Sequence, residues 1–260
     1  MPTPWSRRLT LAPALLEHGR MNTTQDQGHS TGSSPLRLLL LGAGGRMGAS
    51  IRELLSRDSR FTLVATPGSD DELGPDTPGF DVAIDFSRPE GLLKLVELCH
   101  SRARPLVTGT TGMDSHLQAK LVGATDRVAL VCEANFSLGV AILGAAVAQV
   151  AAALPGWDCD IIEQHHRGKQ DAPSGTALAL GRKVEAARPE SSRPVVYSSV
   201  RSGDIVGEHT VQFCGEGERL ELTHRATDRH IFAAGALEAA ARVVGRRPGR
   251  YRLVDLLKPA

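Results

Sequence analysis

The chain has 260 residues, of which 41% are hydrophobic, 23% charged and 4% aromatic, and its formal net charge is +1. Such a length buries a sizeable core as one large or two modest domains. The near-neutral balance and the scarcity of aromatic rings exclude polyanion binding and base stacking as its main business, so no nucleic-acid partner is expected.

Residues 1–35 differ from all that follows. Arg7, Arg8 and Arg20 flank a short apolar patch, and residues 22–35 are a polar run of Thr, Gln, Gly and Ser that cannot offset the entropy of ordering it. A signal peptide is poorly supported, because no sustained apolar stretch or small-residue cleavage site follows the arginines. This segment reads as a disordered or non-native extension outside the fold, with Met21 as a candidate start. The apolar run at 36–41 then reads as a buried parallel strand, entering Gly42-Ala-Gly-Gly-Arg-Met-Gly48 and a helix over 50–55. Strand, glycine turn and helix are the context of a dinucleotide fingerprint, in which backbone N–H groups approach a pyrophosphate at the helix start. The spacing here is Gly42-x-x-Gly45-x-x-Gly48 rather than the strict Gly-x-Gly-x-x-Gly.

A second strand is expected over 61–65, after which a dinucleotide-binding chain commonly places an acid for the adenine ribose. Asp70 or Asp71 is a late candidate for that acid, while Arg46 on the glycine loop would instead meet a 2′-phosphate, so NADH against NADPH stays open. Strands over 82–85, 105–108 and 128–132, separated by helices over 90–101 and 115–125, predict a parallel sheet covered on both faces, with ligands at the strands' carboxyl ends. The Gly109-Thr-Thr-Gly112 turn lies on that edge and reads equally as a simple turn or as a contact to the nicotinamide half. Residues 137–156 carry no charge but are mostly Ala, Gly and Val without basic anchors, so a buried helix is expected and no membrane span. Residues 195–214 and 220–223 alternate in the manner of antiparallel strands, which implies a second domain with an open sheet of the kind that pairs between subunits. An Ala-rich helix over 231–244 and a segment at 251–257 complete the chain. The four cysteines, at 99, 132, 159 and 214, make no close pair, which suits a reducing cytoplasm.

The densest chemistry lies in Glu163-Gln-His-His-Arg-Gly-Lys-Gln-Asp-Ala-Pro-Ser-Gly-Thr176. Ile161 and Ile162 read as a strand end and Asp171, Pro173 and Ser174 as a helix start, so the segment between them is expected to be a loop. The N–H groups of Gly175 and Thr176 would then be free donors at the positive end of a helix, with Lys169 and the histidines converging from the loop side. This predicts an active site for a small anionic substrate, with a histidine as proton donor. Cys159, Glu163, His165 and His166 lie close enough in sequence to suggest zinc, but their spacing matches no zinc pattern, so no metal is expected.

Several stretches together resemble the dihydrodipicolinate reductase family, also called 4-hydroxy-tetrahydrodipicolinate reductase. They are the glycine loop, Ile84-Asp-Phe-Ser-Arg-Pro-Glu-Gly91, Gly109-Thr-Thr-Gly112, Asn135-Phe-Ser-Leu-Gly-Val140, the 163–176 segment and Gly203-Asp-Ile-Val-Gly-Glu-His-Thr210. The resemblance implies reduction of a cyclic imine dicarboxylate by NADH or NADPH on the path to diaminopimelate and lysine, by a homotetramer. It implies an α/β fold with an N-terminal Rossmann-type parallel sheet bearing helices on both faces, plus an α+β substrate and oligomerisation domain with an open mixed sheet. The domains would be 36–134, rejoined by 235–260, and 135–234. His165 would be the proton donor and Lys169 its partner, with His166, Gly175 and Thr176 holding the substrate carboxylates. Gly42, Ala43, Gly44, Gly45, Arg46 and Met47, with Gly109, Thr110, Thr111, Glu133, Ala134, Asn135 and Phe136, would line the cofactor.

The chain departs from that pattern at three points. Gly68-Ser69 stands where an acid and an arginine are common, the 71–80 segment is short enough that one strand and helix of the Rossmann half are expected to be missing, and Glu133 replaces a small residue or proline. Two rival readings remain: another two-domain NAD(P)-dependent dehydrogenase, which would lack the His-His-x-x-Lys loop, and a non-catalytic nucleotide sensor on the same scaffold.

Overall fold

The computed structural model describes residues 34–68 and 71–258, so the expected extension lies outside the described residues except at Ser34 and Pro35, and so do Ser69 and Asp70. The first strand, β1 (Leu36–Leu41), shows why a parallel sheet forms here. Leu38 and Leu40 enter one core and Leu39 and Leu41 the other, so a strand without polar alternation is buried on both faces. The chain continues through α1 (Arg46–Leu55), β2 (Phe61–Ala65), β3 (Val82–Asp85), α2 (Pro89–Arg102), β4 (Leu106–Thr108), α3 (Ser115–Ala124) and β5 (Ala129–Cys132).

A second layer follows with α4 (Leu138–Ala153), β6 (Asp158–His165), α5 (Gly175–Ala186), β7 (Val196–Arg201), β8 (Gly207–Cys214) and β9 (Arg219–Ala226). The chain then returns through α6 (His230–Val243), β10 (Gly249–Tyr251) and α7 (Leu253–Leu256). The first sheet has six parallel strands in the order β10-β5-β4-β3-β1-β2, with α6 and α7 contributing to one of its cores and α2 and α3 to the other. The second sheet has four strands in the order β7-β6-β8-β9.

Two expectations need correction. The strand β7 runs parallel to β6, whereas β8 and β9 are antiparallel to their neighbours. Alternation marks a strand with two unlike faces but does not encode the direction of its partner, and here α5 supplies the crossover that parallel pairing needs. The uncharged helix α4 is also not buried all round: Leu143, Gly144, Val147 and Ala151 form its covered stripe, while Ile142 faces solvent.

The strand β2 is the edge of its sheet, and among the described residues no helix or strand separates it from β3. The intervening chain is held instead by side chains. Phe80 is buried in the core beneath α2, and the Arg102 guanidinium lies 5.7 Å over its ring. The same guanidinium donates to the carbonyls of Gly74, Pro75 and Pro78 at 2.8, 3.1 and 3.2 Å. Phe80→Ala is therefore expected to destabilise the protein by about 3–5 kcal/mol, the usual cost of a large buried ring, read as a lower urea midpoint at unchanged slope.

Candidate active site

At the carboxyl end of β1 the chain turns at Gly42 with φ +86°, where any side chain would strike the Phe86 carbonyl. Gly44 and Gly45 are exposed, and no side chain caps the first amides of α1 at Gly45. Arg46 is exposed and Met47 half-buried at the same helix start, with Ala43 half-buried in the loop. Uncapped amides and a loop of three glycines and one alanine fit the pyrophosphate of a dinucleotide.

Asp85, at the end of β3, has no exposed surface. Its carboxylate accepts from the hydroxyls of Thr108 at 2.6 Å and Thr110 at 2.7 Å, from the Ser87 N–H at 3.0 Å, and from the Ser87 hydroxyl. These bonds fix the Gly109-Thr110 turn, which presents the exposed Thr111, while Gly109 makes room for the Phe86 ring. Phe86 in turn meets Phe136 edge to face at 5.5 Å. Next to Phe136, the Asn135 side chain accepts from the Ser137 N–H at 2.8 Å and donates to the Thr176 hydroxyl at 3.1 Å, which ties this edge to the start of α5. Ala134 is exposed between them. The Glu133 carboxylate accepts from the Leu253 N–H at 3.1 Å, so it is engaged in capping α7.

The strand β6 runs farther than its apolar residues suggest, ending at His165 rather than at Ile162. Cys159, Ile161, Glu163 and His165 alternate onto its buried face, apolar at one end and ionisable at the other. His165 Nδ1 is hydrogen-bonded to Glu163 Oε2, and its Nε2 has no partner among the described residues. Glu163 is fully buried and also accepts two bonds from Arg201, at 2.6 and 2.9 Å, and one from the Ser174 N–H at 3.2 Å. Ser174 caps α5, its hydroxyl accepting from the Ala177 N–H at 3.1 Å and pairing with His209 Nε2 at 3.0 Å. His166 is half-buried beside Gly168, and Lys169 pairs with Asp171 at 2.8 Å. Gly175 is exposed and Thr176 half-buried at the helix start.

Burial pushes Glu163 up, but bonds from Arg201, Ser199 and His165 outweigh it and bring its pKa down to about 2. Burial lowers His165, opposed by its bond to Glu163. His209 falls to about 4, chiefly through burial. A carboxylate held ionised beside an imidazole with one free nitrogen is an arrangement for moving a proton. Among the described residues, no group of three or more His, Cys, Asp or Glu side chains is placed to hold a metal ion.

The family model described as "Dihydrodipicolinate reductase, N-terminus" matches residues 36–136, and that described as "Dihydrodipicolinate reductase, C-terminus" matches residues 139–257. A 4-hydroxy-tetrahydrodipicolinate reductase of Xanthomonas campestris pv. campestris is 51% identical over 240 residues, covering 86% of this chain and 99% of that protein. The chain belongs to the dihydrodipicolinate reductase family. A reductase of the same name from Xylella fastidiosa is 50% identical over 237 residues, 85% of this chain and 98% of that protein. The fold matches that of a dipicolinate-bound dihydrodipicolinate reductase from Paenisporosarcina sp. TG-14, with a TM-score of 0.74, 22% identity, and 86% of this chain and 100% of that one covered.

Within this reductase fold, several residues of the site escaped the sequence reading. Glu163 enters the sequence analysis only as a zinc candidate, although its place two residues before His165 on a strand puts both on the same face. Asp85, Phe86, Arg201 and His209 had none outside the family motifs, because their partners lie far along the chain. Asp85→Ala would strand the buried hydroxyls of Thr108 and Thr110. It is expected to cost about 3 kcal/mol of stability, measured by urea unfolding, with the Asp85→Asn variant less affected.

Proposed function

We propose that the chain reduces 4-hydroxy-tetrahydrodipicolinate with a nicotinamide dinucleotide, on the path to diaminopimelate and lysine. The carrying observation is that His165, Lys169 and the amides at Gly175 and Thr176 gather at one end of β6 and α5, while Asn135 hydrogen-bonds Thr176 from the Rossmann side. In this reading His165 is the proton donor and Lys169 its partner. His166, Gly175 and Thr176 hold the two carboxylates, since a dianion needs cations and helix-start amides. The cofactor lies along Gly42, Ala43, Gly44, Gly45, Arg46 and Met47, then against Gly109, Thr110, Thr111 and the backbone of Glu133, Ala134, Asn135 and Phe136. The reduced nicotinamide supplies a hydride when bound. Hydride and proton balance the conversion to tetrahydrodipicolinate with the 4-hydroxyl leaving as water, and protonation by His165 removes the negative charge that would otherwise develop on the substrate.

We assign residues 36–134 with 235–260 to the dinucleotide body and 135–234 to the substrate and oligomer body, closing over the substrate to exclude water. The packing of α6 and β10 with the first sheet supports this division. A homotetramer formed through the second sheet is supported by the solvent-facing Val196, Val200 and Leu220. Among the described residues no helix is long and apolar enough to cross a membrane, and the cysteine usage supports a cytoplasmic enzyme.

NADH is the better fit of the two cofactors. The Asp71 carboxylate accepts from the Gly68 N–H at 2.8 Å, and the hollow beyond β2 is lined by Asp71, Glu72 and Asp76 with no cation among its lining residues. Carboxylates there would repel a 2′-phosphate and accept from ribose hydroxyls. The competing feature is Arg46.

Two experiments test this reading. With substrate generated in place by the preceding synthase from pyruvate and aspartate semialdehyde, His165→Gln and Lys169→Met are each expected to lower kcat by roughly 10²- to 10⁴-fold while leaving cofactor affinity intact. Unchanged turnover in both would remove the assignment. In the same assay NADH is expected to outperform NADPH in kcat/KM, and Asp71→Asn to narrow the gap. A native preference for NADPH would transfer the decision to Arg46.

A further inference from the structure

Glu163 and Arg201 belong to neither the substrate nor the cofactor contacts above, and the inference drawn from them rests on the reading of His165 as proton donor. We propose that Glu163 and Arg201 are paired positioning residues with opposed effects on His165. Glu163 fixes the ring with Nδ1 against its carboxylate, leaving Nε2 for the substrate, and Arg201 restrains how strongly that carboxylate holds the proton.

The geometry carries this directly. The Glu163 side chain is wholly buried, bonded on Oε2 to His165 and to Arg201 at 2.9 Å, and on Oε1 to Arg201 at 2.6 Å and the Ser174 N–H at 3.2 Å. A carboxylate with all its partners in place can neither rotate nor leave the ring. Its nearer oxygen makes Nδ1 the donor, which specifies the tautomer and leaves Nε2 without a hydrogen-bond partner among the described residues, beside Gly207. Arg201 also reaches the catalytic loop, donating to the Asp171 carbonyl at 2.6 Å, and the Ser202 N–H donates to the His165 carbonyl at 2.9 Å. Position and charge are thus set by one pair.

The groups facing His165 come from four places. They are Glu163 on β6, Arg201 on β7, Lys169 with its partner Asp171 on the loop, and His209 on β8, whose ring centre lies 5.2 Å away with His224 of β9 behind it. Only the carboxylates favour the imidazolium. Arg201 and Lys169 oppose it, as does a protonated His209.

The signs follow. A proton donor works only while protonated, so kcat/KM falls as pH rises through the His165 pKa. Glu163→Gln removes the attraction and leaves Arg201 uncompensated beside the ring, moving that fall to lower pH. Its amide also sets an N–H against donors of Arg201 or His165, and kcat is expected to drop on the order of 10²-fold. Arg201→Gln leaves the carboxylate unshared and moves the fall to higher pH. A merely structural role for either residue would lower activity without displacing the two falls in opposite directions.

The experiment is the kcat/KM profile of the full chain against pH, with NADH and enzymatically generated substrate, for the native protein and both variants. It is joined by ¹⁵N NMR titration of the His165 ring without substrate. Opposite displacements of about one pH unit each support the pair. Glu163→Asp, which keeps the charge, is expected to lose rate while holding the native position of the fall, and it serves where Glu163→Gln does not fold. Displacements in the same direction, or none, overturn the proposal even though the native enzyme turns over. If the native protein shows no turnover, the functional reading fails separately, and opposite shifts in the NMR titration still decide the electrostatic part.

Discussion

A carboxylate with no exposed surface dictates the arrangement of the second half of the molecule. Ionised and buried, Glu163 would be prohibitively unfavourable alone, with a desolvation penalty of several kcal/mol even after relaxation. Its partners come from three separate parts of the chain: His165 two residues on, the Ser174 N–H at the start of α5, and Arg201 at the end of β7. None of these can be displaced without leaving a buried charge short of partners. The end of β6, the catalytic loop, the start of α5 and the end of β7 are therefore pinned to a common point.

The apolar remainder of the same strand face does complementary work. Cys159 and Ile161 pack with Val211, Phe213 and the covered faces of α4 and α5, so the non-directional hydrophobic term holds the helices while hydrogen bonds fix the angles. A second chain of contacts joins this centre to the Rossmann sheet. Asp85 holds the turn at Gly109, Phe86 fills the space that Gly109 leaves and meets Phe136, and Asn135 reaches Thr176. The contact between Asn135 and Thr176 is a single neutral hydrogen bond, weak beside the charge-assisted bonds around Glu163.

Much of this was legible in the sequence, for reasons that can be named. The strands β1 to β5 of the first sheet are short, mostly apolar runs bounded by Gly, Pro or polar residues, whereas β10, Gly249-Arg-Tyr251, carries no such run, and the glycine loop demands its conformation from the local chain alone. The helix start at Ser174 is likewise local, a hydroxyl capping the amide three residues on. What escaped depends on distance along the chain. Arg201 lies 38 residues from Glu163 and Thr110 lies 25 from Asp85, and nothing in either neighbourhood specifies its partner. The end of β6 lies beyond the apolar pair Ile161-Ile162, the part of the strand that its pattern signals. Its last turns of alternation are carried by Glu163 and His165, polar residues on the buried side, and function has overridden the hydrophobic pattern there. The parallel direction of β7 was hidden because pairing is decided by the crossover, not by the strand.

The placement of the two catalytic candidates on different kinds of structure has a mechanical consequence. His165 closes a strand whose backbone is paired on both sides, to β7 and to β8, and its ring is held by a buried carboxylate. Lys169 sits on a loop whose backbone is tied by fewer bonds, from Arg167 to Gly203 and from Lys169 to His166, while its side chain reaches Asp171 on the same loop. The proposed proton donor is thus held on rigid structure, as suits a group that must meet a reacting atom within a fraction of an ångström. The Lys169–Asp171 ion pair is partly exposed and so contributes little to fixing that loop. Arg201, bonded both to Glu163 and to the loop carbonyl of Asp171, ties that loop to the buried carboxylate that holds the imidazole.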